Sequence, residues 1–198
     1  MQLQPQSNAQ PRRAVVLIDN GYLAAILRDE FSSQRISYQK ISDGICQGYE
    51  RLRTYVYDCL PYQSNPPSTT ERLLLAGKQK FFDSLRRLSA TDVKFGKLRP
   101  REGGHFVQKG VDIRLAIDLV QLASKRQIQA AFLIAGDADF VPAVEIAKAE
   151  GVSVTLYHSS GLQRDSQGHY HKKYSDELWT ACDYRVPITS GLISVWRL

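Results

Sequence analysis

Two apolar runs that end in aspartates decide the fold of this chain: AVVLI followed by DNGY over residues 14–22, and AAFLIA followed by GDADF over residues 130–140. A short, continuous apolar run is typical of a strand buried on both faces of a parallel sheet. In such a sheet the chemistry gathers outside the carboxyl ends of the strands. If these two strands are neighbours, about 4.8 Å apart, Asp19 and Asp137 converge at that edge.

Strand-like and helix-like segments alternate along the rest of the chain. Composition predicts further strands at residues 51–57, 93–98 and 152–157, the last of them as the final core strand. Apolar residues at helical spacing predict helices over residues 21–30, 37–48, 111–125 and 139–150. One more predicted helix is capped by Thr70 and has on its buried face Leu74, Phe81, Leu85 and Leu88. Strands separated by such helices imply an α/β fold, with a mostly parallel sheet between two helical layers.

Length and composition indicate a single globular domain with a mild basic excess. The chain has 198 residues, with 26 Lys and Arg against 20 Asp and Glu, and a formal net charge of +6. No run approaches the roughly 20 apolar residues that a membrane span needs, and the first ten residues lack the pattern of a secretory signal. Three widely spaced cysteines make neither a disulfide framework nor a zinc cluster. We therefore expect a cytoplasmic protein without a membrane partner.

Basic residues concentrate in two polar stretches. Residues 94–109 contain five cations against the single acid Glu102, namely Lys94, Lys97, Arg99, Arg101 and Lys109. The second stretch, residues 158–174, adds three more cations and three histidines. Such loops suit a phosphate-bearing partner, because phosphate neutralisation releases counterions, although solvated surface loops have the same composition. We expect Lys97, Arg99, Arg101 and Lys109 to bind substrate through its phosphates.

Three further acids each allow a structural or a functional interpretation. Asp139 precedes Phe-Val-Pro and fits a helix N-cap. Asp112 lies at the centre of the apolar face of its helix, where an unpaired carboxylate is costly to bury, and its alternative is a first-turn acid beside solvent. Asp118, by contrast, lies on the polar edge, where a pair with Arg114 is the simplest interpretation.

Several carboxylates in one pocket repel each other unless a cation neutralises them. Oxygen ligands favour Mg²⁺ or Mn²⁺. A competing zinc site at His169 and His171 lacks a third ligand. A carboxylate-held metal beside a basic loop suits metal-assisted attack of water on a phosphodiester.

Three motifs in this order resemble the NYN domain, a branch of the PIN-like nucleases that includes the LabA-type bacterial proteins: D-N at 19–20, K-G-V-D at 109–112 and A-G-D-A-D-F at 135–140. The resemblance implies a PIN-like three-layer α/β/α fold and an Mg²⁺- or Mn²⁺-dependent endoribonuclease that cleaves single-stranded RNA. By motif position, the catalytic and metal-binding residues would be Asp19, Asp112, Asp137 and Asp139. Asn20 would lie beside them and bind substrate or orient the attacking water.

The resemblance also divides the chain. It implies a disordered N-terminal segment (1–12), an NYN domain (13–183) and a C-terminal tail (184–198). RNA, single-stranded or structured, is the expected partner, and a homodimer stays open.

Other classes of protein fit less well. A haloacid-dehalogenase-like phosphatase needs an acid two residues after Asp19, where this chain has Gly21. A dinucleotide-binding domain needs a glycine-rich turn that D-N-G-Y-L-A does not supply. The alternative that remains is a non-catalytic RNA-binding module on the same PIN-like fold, because metal binding and catalysis require the same carboxylates.

Overall fold

The computed structural model describes residues 11–100, 106–164 and 167–198, with the side chains of all of these except 97–100, 106–109 and 164. The elements in chain order are β1 (Arg13–Asp19), α1 (Asn20–Glu30), α2 (Tyr38–Ile45), β2 (Glu50–Cys59), α3 (Thr69–Arg86), β3 (Thr91–Pro100), β4 (Phe106–Lys109), α4 (Val111–Ser124), β5 (Ala130–Ile134), a 3-10 turn (Ala138–Phe140), α5 (Val141–Ala149), β6 (Ser153–Ser159), β7 (Leu162–Arg164), β8 (Tyr170–Lys172), α6 (Asp176–Ala181), β9 (Tyr184–Ile188) and α7 (Ser190–Trp196).

The central sheet has the strand order β4-β3-β2-β1-β5-β6-β9. Six neighbouring strands of this sheet run parallel to one another: β3, β2, β1, β5, β6 and β9. Strand β4 runs antiparallel to β3. Strand β1 lies between β2 and β5, so that Ile18 pairs with Val56 on one side and with Ile134 on the other. The predicted α/β class is therefore confirmed, and the condition under which Asp19 and Asp137 converge, that β1 and β5 are neighbours, is met.

Alternate residues of β1 enter two separate apolar layers. Val15 and Leu17 pack with residues of α4 and α5 on one face of the sheet. Val16 and Ile18 pack with residues of α1 and α2 on the other face. All four side chains are fully buried, because side chains of a strand alternate between the two faces and helices cover both.

Helix α3 differs from its prediction at its start and on its buried face. Ser68, rather than Thr70, is the N-cap: its hydroxyl accepts from the Glu71 amide at 3.2 Å, and the Glu71 carboxylate accepts from the Ser68 amide at 2.6 Å. This reciprocal pair is a capping box. Leu74 is 59% exposed, whereas Leu85 is buried and Phe81 and Leu88 are partly buried, as predicted; Phe82 is buried as well. Only the C-terminal half of α3 packs on the sheet, so the apolar periodicity of its first half does not report burial.

Residues 184–198, predicted as a tail, belong to the fold. Strand β9 pairs with β6 at the edge of the sheet, and Trp196 of α7 is 1% exposed. The prediction was wrong here because β9 (YRVPI) lacks an apolar run. An edge strand tolerates polar residues and a proline such as Pro187, since one of its sides has no strand to pair with. Strand β6 is therefore not the last strand of the sheet.

Two remaining predictions concern the ends of the chain and membranes. Of the predicted N-terminal segment (1–12), residues 1–10 lie outside the described residues. In the ranges that the structure covers, no helix has the length and apolar character that crossing a bilayer requires.

Candidate acidic site at the carboxyl edge of the sheet

Asp19 lies where β1 passes directly into α1. Its carboxylate Oδ1 accepts a hydrogen bond from the Tyr22 amide at 3.1 Å and caps the helix. An acid is favoured at this position, because the first amides of a helix lack partners and carry partial positive charge. The carboxylate is thereby held at the tip of the central strand.

Asp137 and Asp139 follow β5, the neighbour of β1. Asp137 Oδ1 accepts from the Asp139 amide at 3.1 Å and caps the 3-10 turn. The expectation that Asp139 is the cap was therefore wrong: α5 begins at Val141 behind Phe140, with no side-chain cap. Both carboxylates are on exposed residues at the same edge of the sheet as Asp19.

Asp112 reaches this edge from the first turn of α4. The residue before the helix, Gly110, has φ of 86°, a conformation that glycine adopts without steric cost, and it supplies no side-chain cap. Asp112 is half-buried, whereas Val111, Leu115 and Leu119 of the same helix are buried. It lies beside the apolar face of α4, close to its predicted position.

Electrostatic coupling shows that the four predicted acids share one neighbourhood. Burial raises the pKa of Asp19 from 3.8 to about 6, and the charges of Asp112 and Asp58 add to the rise. Burial also raises the pKa of Asp112, and the charges of Asp137 and Asp139 raise it further. The carboxylates therefore repel one another, as the sequence predicted for a shared pocket.

A fifth acid, Asp58, was missed by the sequence analysis. It lies near the end of β2, one residue past Tyr57, which pairs with Asp19, and it is buried. Its Oδ2 accepts from Lys78 Nζ at 2.6 Å and from Nδ2 of the Asn20 side chain at 2.5 Å. Its Oδ1 accepts from the backbone amide of Cys59 at 2.6 Å. The rule that identified Asp19, an acid that ends a strand, would also have found Asp58.

Asn20 does not face a substrate, contrary to its predicted role. The side chain is 3% exposed. Its Nδ2 donates to Asp58, and its Oδ1 accepts from the hydroxyl of Tyr38. Both ends of the amide are used inside the protein, so Asn20 holds Asp58 in place beside Asp19.

The donor set is suited to a hard divalent cation, but its members are spread out. Carboxylate oxygens are the ligands that Mg²⁺ and Mn²⁺ prefer. Among the described residues, no three His, Cys, Asp or Glu side chains stand close enough together to hold one metal ion. His169 and His171, whose ring centroids are 6.5 Å apart, are among the residues that form no such group. As they stand, the described aspartates therefore do not form a complete set of ligands for one ion.

The predicted basic residues are only partly described. In the β3–β4 hairpin, which leads directly into α4 and Asp112, the backbones of Lys97 and Lys109 pair with each other, as do those of Arg99 and Val107. The side chains of Lys97, Arg99 and Lys109 lie outside the described part of the chain, and so does all of Arg101. Their contact with phosphates stays a prediction.

Lys94 has a structural role instead. Its Nζ lies 2.7 Å from both carboxylate oxygens of Asp118 and 4.5 Å from the centroid of the Tyr55 ring. The hydroxyl of Tyr57 also donates to Asp118 Oδ2, at 2.7 Å. The expected Arg114–Asp118 pair is thus replaced by partners from β2 and β3, which periodicity within α4 cannot reveal.

An open cleft of about 670 Å³ leads to the acidic site. One wall holds Asp19 and Asp137, and the other is formed by residues 172–175. We call residues 159–164 and 167–175, which include the β7–β8 hairpin, the arm. Gly136 lines the cleft: a Cβ there would overlap the ring of Tyr22 and would lie 2.9 Å from the carbonyl oxygen of Lys173. Only glycine fits at this close approach.

The fold of this chain is shared by a solved structure. A protein of unknown function from Vibrio parahaemolyticus is 18% identical, with a TM-score of 0.67, and the match covers 98% of this chain and 100% of that one. This likeness shows the fold. A reductase domain from the aureusimine biosynthetic cluster is 12% identical over 94% of this chain and 42% of that one, but its TM-score of 0.26 supports no comparison. No curated protein matches the chain.

The sequence of the chain, including the motifs that contain the acids, matches the model of a protein family. The model of the NYN domain matches residues 13–189, which is most of the chain and includes β1, α4, β5 and the four predicted aspartates. The matched region extends from the first strand to the residue after β9. The chain therefore belongs to the NYN domain family and has its PIN-like, nuclease-type fold.

Proposed function

We propose that this protein is an endoribonuclease that uses Mg²⁺ or Mn²⁺ to hydrolyse phosphodiester bonds in single-stranded RNA. The observation that carries the proposal is that Asp19, Asp112, Asp137 and Asp139 lie near one another at one edge of the sheet: the charge of Asp112 raises the pKa of Asp19, and the charges of Asp137 and Asp139 raise the pKa of Asp112. Membership of a family with a nuclease-type fold supports the same reaction class.

The proposed mechanism assigns different tasks to the acids. A divalent cation held by these acids would supply positive charge for the activation of water and for stabilisation of the phosphodiester. Asp19 and Asp137, from neighbouring strands, would hold it, with Asp112 and Asp139 completing the set. With a pKa of about 6, part of the Asp19 population is protonated near neutral pH, and Asp19 would have to be deprotonated to serve as a ligand.

Asp58 has a different part in this mechanism. Its charge is already met by Lys78 and its position is fixed by Asn20. It therefore stays in place as a buried anion of β2 whose charge adds to the rise in the pKa of Asp19, at the end of the neighbouring strand β1.

The thiols do not offer a nucleophile for an alternative, covalent mechanism. Cys46, Cys59 and Cys182 are buried and unpaired. Burial raises the pKa of each thiol to about 11. Each is therefore protonated and unreactive at neutral pH.

The test is a cleavage assay on single-stranded RNA and single-stranded DNA with Mn²⁺ and with chelator. We expect cleavage of RNA only with the metal. Asp19→Asn and Asp137→Asn should each remove most activity, and Asp83→Asn, which changes an exposed acid of α3, should leave it unchanged. Full cleavage in chelator, or by the variant with both substitutions, would refute the proposal.

A non-catalytic RNA-binding module is the second candidate. One observation favours it: in the described chain no three acidic or other ligating side chains are arranged to hold one ion as they stand. In that case the protein binds single-stranded RNA with or without Mn²⁺ and leaves it intact. Binding and cleavage, measured on the same RNA, separate the two functions.

A further inference from the structure

The arm is attached to the rest of the protein through a buried carboxylate. Glu30, at the end of α1, accepts from the Ser159 hydroxyl at 2.5 Å and from the Gly161 amide at 2.9 Å. It also lies 3.2 Å from Lys173 Nζ, and the two charged side chains are only 11% and 9% exposed. A Cβ at Gly161 would come within 2.6 Å of the Glu30 carboxyl carbon. The arm thus rests directly on this carboxylate.

Two further hydrogen bonds fix the arm beside the acidic site. The amide of Ser159 donates to the hydroxyl of Tyr22 at 2.9 Å. The amide of Ser175 donates to the carbonyl oxygen of Gly136 at 2.8 Å. Tyr22 is three residues after Asp19, and Gly136 directly precedes Asp137. These two hydrogen bonds therefore fix the position of the arm relative to the acids.

The two lysines of the arm have different roles. Lys173 is buried between Asp29 and Glu30, which neutralise it, so it fastens the arm. Lys172 is half-exposed, and its partner Asp176 is 72% exposed. An exposed ion pair of this kind contributes little stability. Lys172 can therefore exchange Asp176 for a phosphate at small cost.

Tyr174 places an aromatic ring in the same cleft wall. The ring contacts His158, with centroids 4.4 Å apart, and remains partly exposed in the cleft. Lys172 Nζ lies 5.5 Å from its centroid. Proteins bind single-stranded nucleic acids by combining aromatic rings with cations: the ring stacks on a base, and the cation contacts the phosphate backbone.

We propose that the arm is the nucleotide-binding wall of the cleft, in which Tyr174 stacks on a base of single-stranded RNA and Lys172 contacts the adjoining phosphate, with Glu30 as the positioning residue that holds the arm against the acidic site. This assignment rests on the proposed function, because the RNA bound here is the one presented to the aspartates. It deepens that function by naming the side chains that recognise an unpaired nucleotide.

The experiment measures binding in the absence of cleavage. The probe is a fluorescently labelled single-stranded oligouridine in chelator, and the readout is anisotropy at several salt concentrations. Tyr174→Ala should weaken binding by about fivefold or more, as loss of one base stack does, whereas Tyr174→Phe keeps the ring and should bind like the wild type. Lys172→Ala should lower the slope of log affinity against log salt by about 0.7. The matched control is Lys148→Ala, which removes another ion-paired lysine, outside the cleft.

The positioning role of Glu30 has its own readout. Glu30→Gln removes the charge that holds Lys173, so we expect faster hydrogen exchange in the arm and weaker RNA binding. If Glu30→Gln unfolds, the comparison of Tyr174→Ala with Tyr174→Phe still tests whether the arm binds RNA.

Several outcomes would overturn the assignment: wild-type affinity in both Tyr174→Ala and Lys172→Ala, failure of the wild type to bind the probe, or equal binding of duplex RNA, whose bases are already stacked. Weakened binding by Tyr174→Ala in a protein that does not cleave RNA with Mn²⁺ would support the arm and refute only the nuclease.

Discussion

Asp19 makes the stability of the protein depend on pH. Burial, with the charges of Asp112 and Asp58, raises its pKa from 3.8 to about 6 in the folded state. The folded protein therefore binds this proton more tightly than the unfolded chain does. The resulting stabilisation is complete below about pH 4 and is lost as the pH rises through about 6.

The first prediction follows from this sign. In chelator at pH 7, Asp19→Asn should be more stable than the wild type by about 1 to 3 kcal/mol, because asparagine keeps the helix cap and carries no charge. The difference should shrink toward pH 4. Urea denaturation across this range measures it, and parallel stability curves for the two proteins would contradict it.

The second prediction concerns Asp112. Its pKa is raised by burial and by the charges of Asp137 and Asp139, so Asp112→Asn should raise Tm in chelator. If Asp112 also helps to hold the metal, the further rise that Mn²⁺ produces in the wild type should be smaller in the variant. Asp83→Asn serves as the exposed control. Equal Mn²⁺ shifts in the wild type and in Asp112→Asn would remove Asp112 from the site.

At the scale of elements, the turn after β5 depends on a glycine. Gly136→Ala should destabilise the protein by about 1 to 3 kcal/mol, as overpacking does, because the added Cβ meets the ring of Tyr22 and the arm. Gly77→Ala, in the exposed part of α3 where nothing lies near the added Cβ, should stabilise it by about 0.5 to 1 kcal/mol. Thermal melts of both variants test the contrast, and similar effects would contradict it.

Helix α7 anchors the C-terminal end of the chain through one aromatic side chain. Trp196 is buried in the layer that contains Val16 and Ile18. Trp196→Ala should therefore cost about 3 to 5 kcal/mol, whereas Val195→Ala, at an exposed neighbour, should change stability by less than about 0.5 kcal/mol. Urea denaturation of the two variants makes the comparison. A small effect of Trp196→Ala would mean that these residues are dispensable.

At the scale of the whole molecule, the net charge of +6 coexists with a cluster of acids at the candidate site. RNA binding then needs cations around the acidic site, and strands β3 and β4, which contain Lys97, Arg99 and Lys109, lead directly into α4. We predict that replacing Arg99 and Arg101 together by alanine lowers the salt slope of RNA binding by about 0.7 to 1.4, equal to one or two phosphate contacts. An unchanged slope would show that these arginines do not meet the RNA.

The sequence by itself determined the features that consecutive residues encode. The runs before Asp19 and Asp137 predicted two buried parallel strands, and the motif order identified the family and α4 with Asp112. These features are local. An apolar run indicates a strand that is buried on both faces, and an acid at the end of that run can be recognised without reference to other segments. For the same reason the edge strand β9 escaped notice, because partial burial leaves no apolar run.

Only the tertiary structure decided which side chains meet. Asn20 was expected at the substrate and is instead buried against Asp58, which is 38 residues away in the sequence. Lys173 is fastened to Glu30 across 143 residues, and this contact makes the arm a wall of the cleft. Periodicity describes the faces of one segment, whereas the partner of a buried polar group depends on which segments pack together. Every buried polar group needs a hydrogen-bond or ionic partner, whatever the protein. Which residue becomes that partner is determined by the tertiary fold.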